Sequence, residues 1–158
     1  MKIFAVIVRT LVVAAGFVWL WAWVALTVED AIGQGDVRLP DWTQLPGLFV
    51  MTAGGALALA CISVFATIGE GTPAPFDPPL RFVAVGPYRY VRNPMYVGGA
   101  LVLAGWALFR QSPAILALSV GWLVLFHFFV LVYEEPTLRR KFGLEYERYL
   151  ERVPRWIP

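Results

Sequence analysis

Long apolar segments constrain the fold of this chain more than any other feature of its sequence. Four of them stand out within the 158 residues, at 3–28, 45–68, 95–109 and 113–133. A helix needs about 20 apolar residues to cross the hydrocarbon core of a bilayer, and a backbone in lipid must satisfy its own hydrogen bonds. We therefore expect an all-α, integral membrane helical bundle with four to five transmembrane helices.

The segment at 95–109 is the shortest of the four. It either borrows flanking residues to span the bilayer or forms a tight hairpin with the fourth segment across 110–113. Small residues at helical spacing in the second and third segments predict close helix packing; they are Gly54, Gly55, Ala58, Gly98, Gly99, Ala100, Ala104 and Gly105. Gly98 and Gly99 could alternatively leave room for a ligand.

Composition excludes several classes of function. The chain is 59% hydrophobic and 15% charged, with a formal net charge of only +2, so we expect no nucleic-acid partner. A single cysteine, Cys61, and a single histidine, His127, exclude a disulfide framework and leave no ligand set for a metal. Gly-rich nucleotide loops and serine-hydrolase elbows are absent from the sequence.

The distribution of basic residues predicts the orientation in the membrane. The connector at 29–44 is mainly acidic, whereas the connector after the second segment contains Arg81, Arg89 and Arg92. The C-terminal tail adds six more basic residues. Because positively charged loops stay inside, we expect both termini and the second connector to be cytoplasmic, with Arg38 and Arg110 on the opposite side.

The segments outside the spans also have distinct patterns. Residues 69–79 are rich in proline and glycine, which predicts an extended linker. After Pro136 the pattern predicts two short amphipathic helices broken near Gly143. We expect this cytoplasmic C-terminal amphipathic tail to lie at the membrane interface through five residues, namely Phe142, Tyr146, Tyr149, Leu150 and Trp156.

Two polar clusters could carry chemistry. The first extends from Gly86 to Tyr96, where Asn93 and Pro94 are suited to begin a helix. Its arginines either contact lipid headgroups or form, with the helix N-terminus, a site for an anion. The second cluster is Glu134 and Glu135 at the end of the fourth segment. These carboxylates either pair with Arg89 or Arg92, or bind the hydroxyl, amino or sulfonium groups of a ligand.

Motifs in the second half resemble a known family. They are Gly86-x-Tyr88, Arg92-Asn93-Pro94-x-Tyr96, Glu134-Glu135, Phe142-Gly143-x-Glu145-Tyr146-x-x-Tyr149 and Val153-Pro154. In this order they resemble the membrane methyltransferases that include isoprenylcysteine carboxyl methyltransferases and bacterial phospholipid methyltransferase-like proteins. The resemblance implies one domain over residues 1–158, with N-terminal spans in 1–79 and a cofactor-binding half in 80–158.

The resemblance also implies a function and a site. It implies S-adenosyl-L-methionine as cofactor, a lipid-like or small lipophilic methyl acceptor, and an active site at the cytoplasmic face of the membrane. The implied cofactor-binding residues are Leu80, Arg81, Phe82, Val83, Tyr88, Asn93, Pro94, Met95, Tyr96 and Glu134. Arg92 and Glu135 are candidates for substrate binding, and no residue is assigned as catalytic. Asn93 stands where the family usually has histidine, so general-base catalysis at this position is not expected.

Two other functions compete with this interpretation. A membrane reductase of the sterol type has similar terminal motifs but uses NADPH, whose extra phosphates call for more basic residues than Arg81, Arg89 and Arg92. A small membrane scaffold or transporter subunit is the non-enzymatic alternative, and the scarcity of polar residues in the spans argues against a solute path.

The resemblance also bears on the methyl acceptor. In the resembling prenylcysteine enzymes an arginine precedes the glutamate pair by about one turn. Residues 127–133 contain none, so a neutral or weakly basic acceptor is expected unless Arg92 supplies the charge from the other cluster.

Overall fold

The computed structural model describes residues 2–32, 38–69 and 82–158, and every regular element within these ranges is helical. The α-helices are α1 (Lys2–Ile32), α2 (Gln44–Val64), α3 (Pro94–Arg110), α4 (Pro113–Phe129), α5 (Glu135–Phe142) and α6 (Leu144–Arg152). Short 3₁₀ turns occupy Asp41–Thr43 and Gly86–Arg89, and π-helical turns occupy Phe65–Gly69 and Val130–Glu134. The all-helical prediction is confirmed. The predicted linker lies outside the described residues apart from Gly69, which ends a π-helical turn.

Three helical stretches among the described residues are long and apolar enough to cross a membrane, at Ala15–Ile32, Asp41–Val64 and Pro113–Phe142. The last of these combines α4, the π-helical turn and α5. Helix α3 is apolar but shorter, with 17 residues, which at 1.5 Å per residue is about 25 Å long. Of the two alternatives for this segment, it forms the tight hairpin with α4, in which Gln111 adopts a left-handed conformation (φ 59°).

Helices α2 and α3 pack at backbone contact through glycines. A Cβ atom at Gly54 would lie 2.7 Å from the carbonyl oxygen of Gly98, and one at Gly47 would lie 2.6 Å from the amide nitrogen of Phe109. These glycines therefore permit an approach that no larger residue allows. By contrast, Gly55 has nothing within 4 Å of a Cβ position. Close packing is confirmed for Gly54 and Gly98 but not for Gly55.

The hairpin of α3 and α4 is fixed by an aromatic side chain. The indole Nε1 of Trp122 donates a hydrogen bond to the carbonyl of Tyr96 at 3.0 Å, and its ring occupies the space where Gly99 would carry a Cβ. Trp21 of α1 packs edge-on against Trp122, with 4.5 Å between the ring centroids. Gly98 and Gly99 thus face neighbouring helices, and the alternative that they make room for a ligand is not observed.

A polar cluster closes one end of the bundle. Arg110, at the end of α3, pairs with Glu29 of α1 at 2.7 Å, and the Glu29 side chain is almost fully buried. The side chain of Gln111 donates to Asp41 at 2.6 Å. These contacts bring the acidic connector and the α3–α4 turn together. The C-terminal ends of α2 and α4 and the start of α3 therefore lie at the other end of the bundle.

The tail forms two short helices as predicted, but its apolar face is not free to lie in a membrane. Gly143 separates α5 from α6 with φ 53°, a conformation favoured by glycine. Tyr146 and Tyr149 are buried against Phe82 and Val153. The prediction that these two tyrosines lie at the membrane interface is wrong, because amphipathic helices bury an apolar face equally well against protein.

Candidate active site

A cavity of about 80 Å³ lies where the end of α2, the Gly86–Arg89 turn, the start of α3 and the α4–α5 junction meet. Its wall is mainly aromatic and aliphatic, with two carboxylates, one arginine and one asparagine as its charged and amide groups. The lining residues are Phe65, Phe82, Val83, Tyr88, Arg92, Asn93, Tyr96, Val130, Tyr133, Glu134, Glu135, Thr137, Leu138, Phe142, Tyr146 and Tyr149. An apolar wall with a few polar groups is typical of a site for a small organic ligand.

Glu134 and Tyr96 form a hydrogen-bonded pair in the wall of this cavity. The Tyr96 hydroxyl donates to Glu134 Oε2 at 2.8 Å. The Tyr96 ring is stacked on Phe126, with 4.5 Å between centroids, and its backbone carbonyl is held by Trp122. Tyr96 is therefore fixed on both sides. Among the described contacts, the other carboxylate oxygen of Glu134 has no hydrogen-bond partner and could accept one from a ligand.

Glu135 has a different environment from its neighbour. Its Oε1 accepts from Arg92 Nη1 at 2.9 Å and from Arg155 Nε at 2.8 Å, while Oε2 accepts from Arg155 Nη2 at 3.1 Å. The pair with Arg155 is thus bidentate, which is the strong geometry for an arginine and a carboxylate. Of the two alternatives for the carboxylates, pairing with Arg92 is observed for Glu135.

The segment 153–156, which follows α6, is bound to the start of α3 through its backbone. The Arg92 amide donates to the carbonyl of Pro154 at 2.9 Å, and Arg92 Nε donates to that of Val153 at 2.7 Å. Asn93 Nδ2 donates to the carbonyl of Arg155 at 3.1 Å. Asn93 does precede α3 as predicted, but its side chain makes this contact instead of capping the helix.

Three tyrosines complete the wall on the tail side. The Tyr149 hydroxyl donates to the carbonyl of Tyr88 at 2.6 Å, which ties α6 to the Gly86–Arg89 turn. Burial raises the pKa of Tyr88, Tyr146 and Tyr149 above the ordinary value for a phenol. These phenols are therefore neutral at physiological pH and retain a proton that they can donate in a hydrogen bond.

The cavity brings together most of the residues that the resemblance implied. Six implied cofactor residues line it, namely Phe82, Val83, Tyr88, Asn93, Tyr96 and Glu134, together with Arg92 and Glu135. Pro94 and Met95 do not: Pro94 is fully buried, and Met95 packs against the Cys61, Val83 and Tyr88 cluster. Leu80 and Arg81 lie outside the described residues. Arg89 is exposed beside the Tyr90 ring.

Several lining residues could not be identified from the sequence. Phe65 and Val130 belong to apolar runs whose pattern does not distinguish lipid-facing from cavity-facing positions. Both also lie in π-helical turns, which often occur at functional sites but leave no clear sequence signal. Tyr146 and Tyr149 belong to the motifs of the resemblance, and this could have identified them as residues of the site. The amphipathic pattern of the tail favoured the membrane interface instead.

His127 faces the tail and not the cavity. Its Nδ1 accepts a hydrogen bond from Trp156 Nε1 at 3.0 Å. This contact adds a fourth attachment to the segment 153–156. No group of three or more potential metal ligands occurs among the described residues.

The sequence pattern of the phospholipid methyltransferase family matches residues 42–145, about two thirds of the chain. The chain belongs to this family. The family assignment that the motifs suggested is therefore confirmed. The part of the chain that matches the phospholipid methyltransferase family includes Tyr96, Glu134 and Glu135. Tyr146, Tyr149 and the segment 153–156 follow the end of this match.

Individual relatives cover smaller parts of the chain. Proteins from Oryza sativa subsp. indica and subsp. japonica, each named probable protein-S-isoprenylcysteine O-methyltransferase, are 35% identical to it over 80 residues, which is 49% of this chain and 41% of theirs. A Haemophilus influenzae protein described as uncharacterized is 36% identical over 63 residues, 40% of this chain and 100% of its own length. The chain thus spans about two fifths of the length of the rice relatives.

Proposed function

We propose that this protein is an S-adenosylmethionine-dependent membrane methyltransferase that acts on a lipid-like or small lipophilic acceptor. The observation that carries the proposal is the cavity in which Tyr96 orients Glu134 among aromatic side chains. Membership of the phospholipid methyltransferase family supplies the reaction class, and the apolar helices around the site favour an acceptor that resides in the bilayer.

The residues present fit such a cofactor. One Glu134 oxygen is fixed by Tyr96, and the other is suited to accept hydrogen bonds from ribose hydroxyls or from an amino group. The rings of Phe82, Tyr146 and Tyr149, which pack against one another, offer a surface for the adenine. A negative carboxylate also favours a cationic ligand in a site of low polarity. Phe82, Tyr88, Asn93, Tyr96 and Glu134 would hold the cofactor together with these tail tyrosines.

The chemistry then demands little proton transfer from the protein. S-adenosylmethionine supplies a methyl group that its sulfonium already activates. The chain contributes orientation, because walls formed by packed helices hold two reactants in line, and orientation alone can lower a barrier by several kcal/mol. The amide of Asn93 does not titrate, so this position contributes a hydrogen bond and not a general base.

The position of the site suggests where the two substrates meet. We place the cavity at the cytoplasmic face, since the arginine-rich connector and tail lie at this end of the bundle. The tail would then be cytoplasmic. Helix α3 would complete the membrane bundle as a fourth, short span beside α2, with its polar ends in the interface. A water-soluble donor and a bilayer-resident acceptor could both reach this level.

The proposal is tested by methyl transfer from labelled S-adenosylmethionine. Purified protein in nanodiscs is incubated with the labelled cofactor and a membrane lipid extract, with Tyr96→Phe as a variant that leaves Glu134 without its partner. Transfer of label into lipid by the wild type, reduced in Tyr96→Phe, supports the proposal. A parallel incubation replaces the labelled cofactor with NADPH. Oxidation of NADPH there, without label transfer in the first incubation, would identify a reductase, and the absence of both activities would favour the membrane scaffold.

A further inference from the structure

The space between the described walls of the cavity is smaller than the cofactor that we propose. Its volume is about 80 Å³, whereas pockets that enclose small organic ligands usually measure about 300–1,000 Å³. If the proposed function holds, at least one wall must move to admit and release the cofactor. The question is which wall can do so.

The walls formed by α2, α3 and α4 are held by close packing. Gly54 and Gly98 place the backbones of α2 and α3 in direct contact. Trp122 of α4 fills the space beside Gly99 and bonds the backbone of α3. A displacement of any of these helices would separate packed surfaces along the bundle. They are therefore the fixed part of the site.

The wall formed by α6 is attached differently. It joins α5 through Gly143, a residue type whose backbone angles are free to change, and a Cβ at this glycine would have nothing within 4 Å. Both Tyr146 and Tyr149 of α6 line the cavity. At its other end α6 continues into the C-terminal strap, which we define as residues 153–156. The strap is bound to the bundle by polar contacts between side chains and backbone.

The contacts of Arg92 and Arg155 meet at one ion-paired cluster, while Asn93 and His127 bind the strap outside it. Glu135 is 7% exposed and lies between Arg92 and Arg155. Arg92 also binds the strap carbonyls of Val153 and Pro154. Arg155 belongs to the strap itself and forms the bidentate pair. Hydrogen bonding to Glu135 raises the pKa of Arg155, so Arg155 is charged at all physiological pH values.

We propose that Arg155 is a positioning residue whose pair with Glu135 latches the strap and α6 over the cavity, and that release of this latch limits exchange of the adenosyl cofactor. This inference rests on the proposed function. It assigns the neighbouring carboxylates separate tasks: Glu134 contacts the cofactor, and Glu135 holds the cavity closed. Glu135 and Arg92 then act through the strap and not on the methyl acceptor.

The test compares rates of release. Wild type, Arg155→Gln, Arg155→Lys and Glu135→Gln are placed in nanodiscs, and dissociation of labelled S-adenosylhomocysteine is followed after dilution into unlabelled ligand. Loss of one charge-assisted pair predicts release about tenfold faster in Arg155→Gln, and Glu135→Gln, which also loses the pair with Arg92, should release at least as fast. Arg155→Lys, which retains the charge without the bidentate geometry, should be intermediate. A double variant that combines Arg155→Gln with Glu135→Gln should release no faster than Glu135→Gln, because both changes remove the same pair.

Arg148→Gln is the matched control, since it removes an exposed arginine from α6 and should release the ligand at the wild-type rate. Hydrogen exchange of residues 144–158 without ligand should rise in Arg155→Gln. If exchange rises while release is unchanged, the cluster is merely structural and the latch is refuted. If the wild type itself binds no S-adenosylhomocysteine, the proposed function fails and this inference fails with it.

Discussion

Glu134 and Glu135 are adjacent in the sequence but have different partners. Glu134 bonds Tyr96, whereas Glu135 binds two arginines. The resemblance implied Glu134 for the cofactor and Glu135 as a candidate for substrate binding, whereas the residues by themselves left a functional role or an ion pair open for both. They could not predict the pairing of Glu135 with two arginines, because the π-helical turn Val130–Glu134 carries an extra residue, which shifts the direction of later side chains relative to a regular α-helix.

At Glu134 we predict that substitution by glutamine weakens binding of S-adenosylhomocysteine by about 1.5–3 kcal/mol, the cost of losing a charge-assisted hydrogen bond. Calorimetric titration in detergent measures this change. Glu151→Gln removes an exposed carboxylate from α6 and should bind as the wild type does. Equal affinity of folded Glu134→Gln and wild type would exclude Glu134 from the cofactor site.

The missing arginine before Glu134 leads to a prediction about the acceptor. Residues 127–133 contribute Val130 and Tyr133 to the cavity, and Arg92, the arginine that lines it, already donates to Glu135 and Val153. A carboxylate acceptor without a paired cation would carry a desolvation cost of several kcal/mol. We therefore expect a lipid amine or an alkyl thiol to be methylated in preference to a prenylated cysteine.

The acceptor prediction is measured with labelled cofactor and three acceptors offered separately: N-acetyl farnesylcysteine, a phosphatidylethanolamine and a small alkyl thiol. The wild-type protein serves for all three, with boiled protein as the blank. Transfer to phosphatidylethanolamine or to the thiol is the expected result. Efficient methylation of farnesylcysteine alone would show that the cavity does accommodate the carboxylate.

The positions of the helices could be predicted from the sequence, whereas the helix that each one packs against could be predicted only in part. Apolar runs located α2, α3 and α4, because length and hydropathy decide whether a segment can span. The small residues of α2 predicted close packing, yet Gly55 faces open space while Gly54 contacts α3. A stripe of small residues does not reveal which side meets a neighbour. The same limit explains the wrong prediction for α6. Its amphipathic pattern predicts that the apolar face is buried but does not indicate whether lipid or protein buries it.

The packing of α2 against α3 is tested by Gly54→Val. The new side chain would meet the α3 backbone, where a Cβ atom lies 2.7 Å from the Gly98 carbonyl oxygen. Overpacking of this kind typically costs about 1–3 kcal/mol, so we expect a lower midpoint of thermal unfolding. The buried thiol of Cys61, which is the only cysteine, becomes reactive on unfolding and reports the midpoint with a thiol-specific fluorophore.

Gly55→Val provides the matched control for this measurement, because the adjacent position makes the same chemical change in open space. It should unfold close to the wild-type temperature. A similar loss of stability in both variants would attribute the effect to helix propensity and not to the contact between α2 and α3.

At the scale of the whole molecule, the two ends of the helical bundle differ chemically. This agrees with the predicted separation of the acidic first connector from the arginine-rich second connector and tail. Arg110, Glu29 and Asp41 meet at one end, and the cavity with Arg92 and Arg155 lies at the other. The sequence could place both polar clusters at the same end through alternating spans. It could not reveal that the tail forms a wall of the cavity, because the three bonds from Arg92 and Asn93 to residues 153–155 join segments about 60 positions apart. All three are accepted by backbone carbonyls, which leave no signal in the sequence.

Because the second connector and the tail lie at the same end of the bundle, both should face the same side of the membrane. Single cysteines introduced at Arg89 and Arg148, both exposed, in a Cys61→Ala background should react with an impermeant thiol reagent from the cytoplasmic side of oriented vesicles. Ile32→Cys, near the other end of the bundle, serves as the control for the opposite side. Labelling of the Arg89 and Arg148 positions from different sides would contradict the structure and the shared site.

The central claim is that this cavity binds an adenosyl methyl donor, and a comparative titration of the wild-type protein tests it most directly. S-adenosylhomocysteine and NADPH are titrated separately into protein in nanodiscs, with empty nanodiscs as the blank. We predict saturable, one-to-one binding of S-adenosylhomocysteine and no binding of NADPH. Saturable binding of NADPH, or no binding of S-adenosylhomocysteine by folded protein, would contradict the claim.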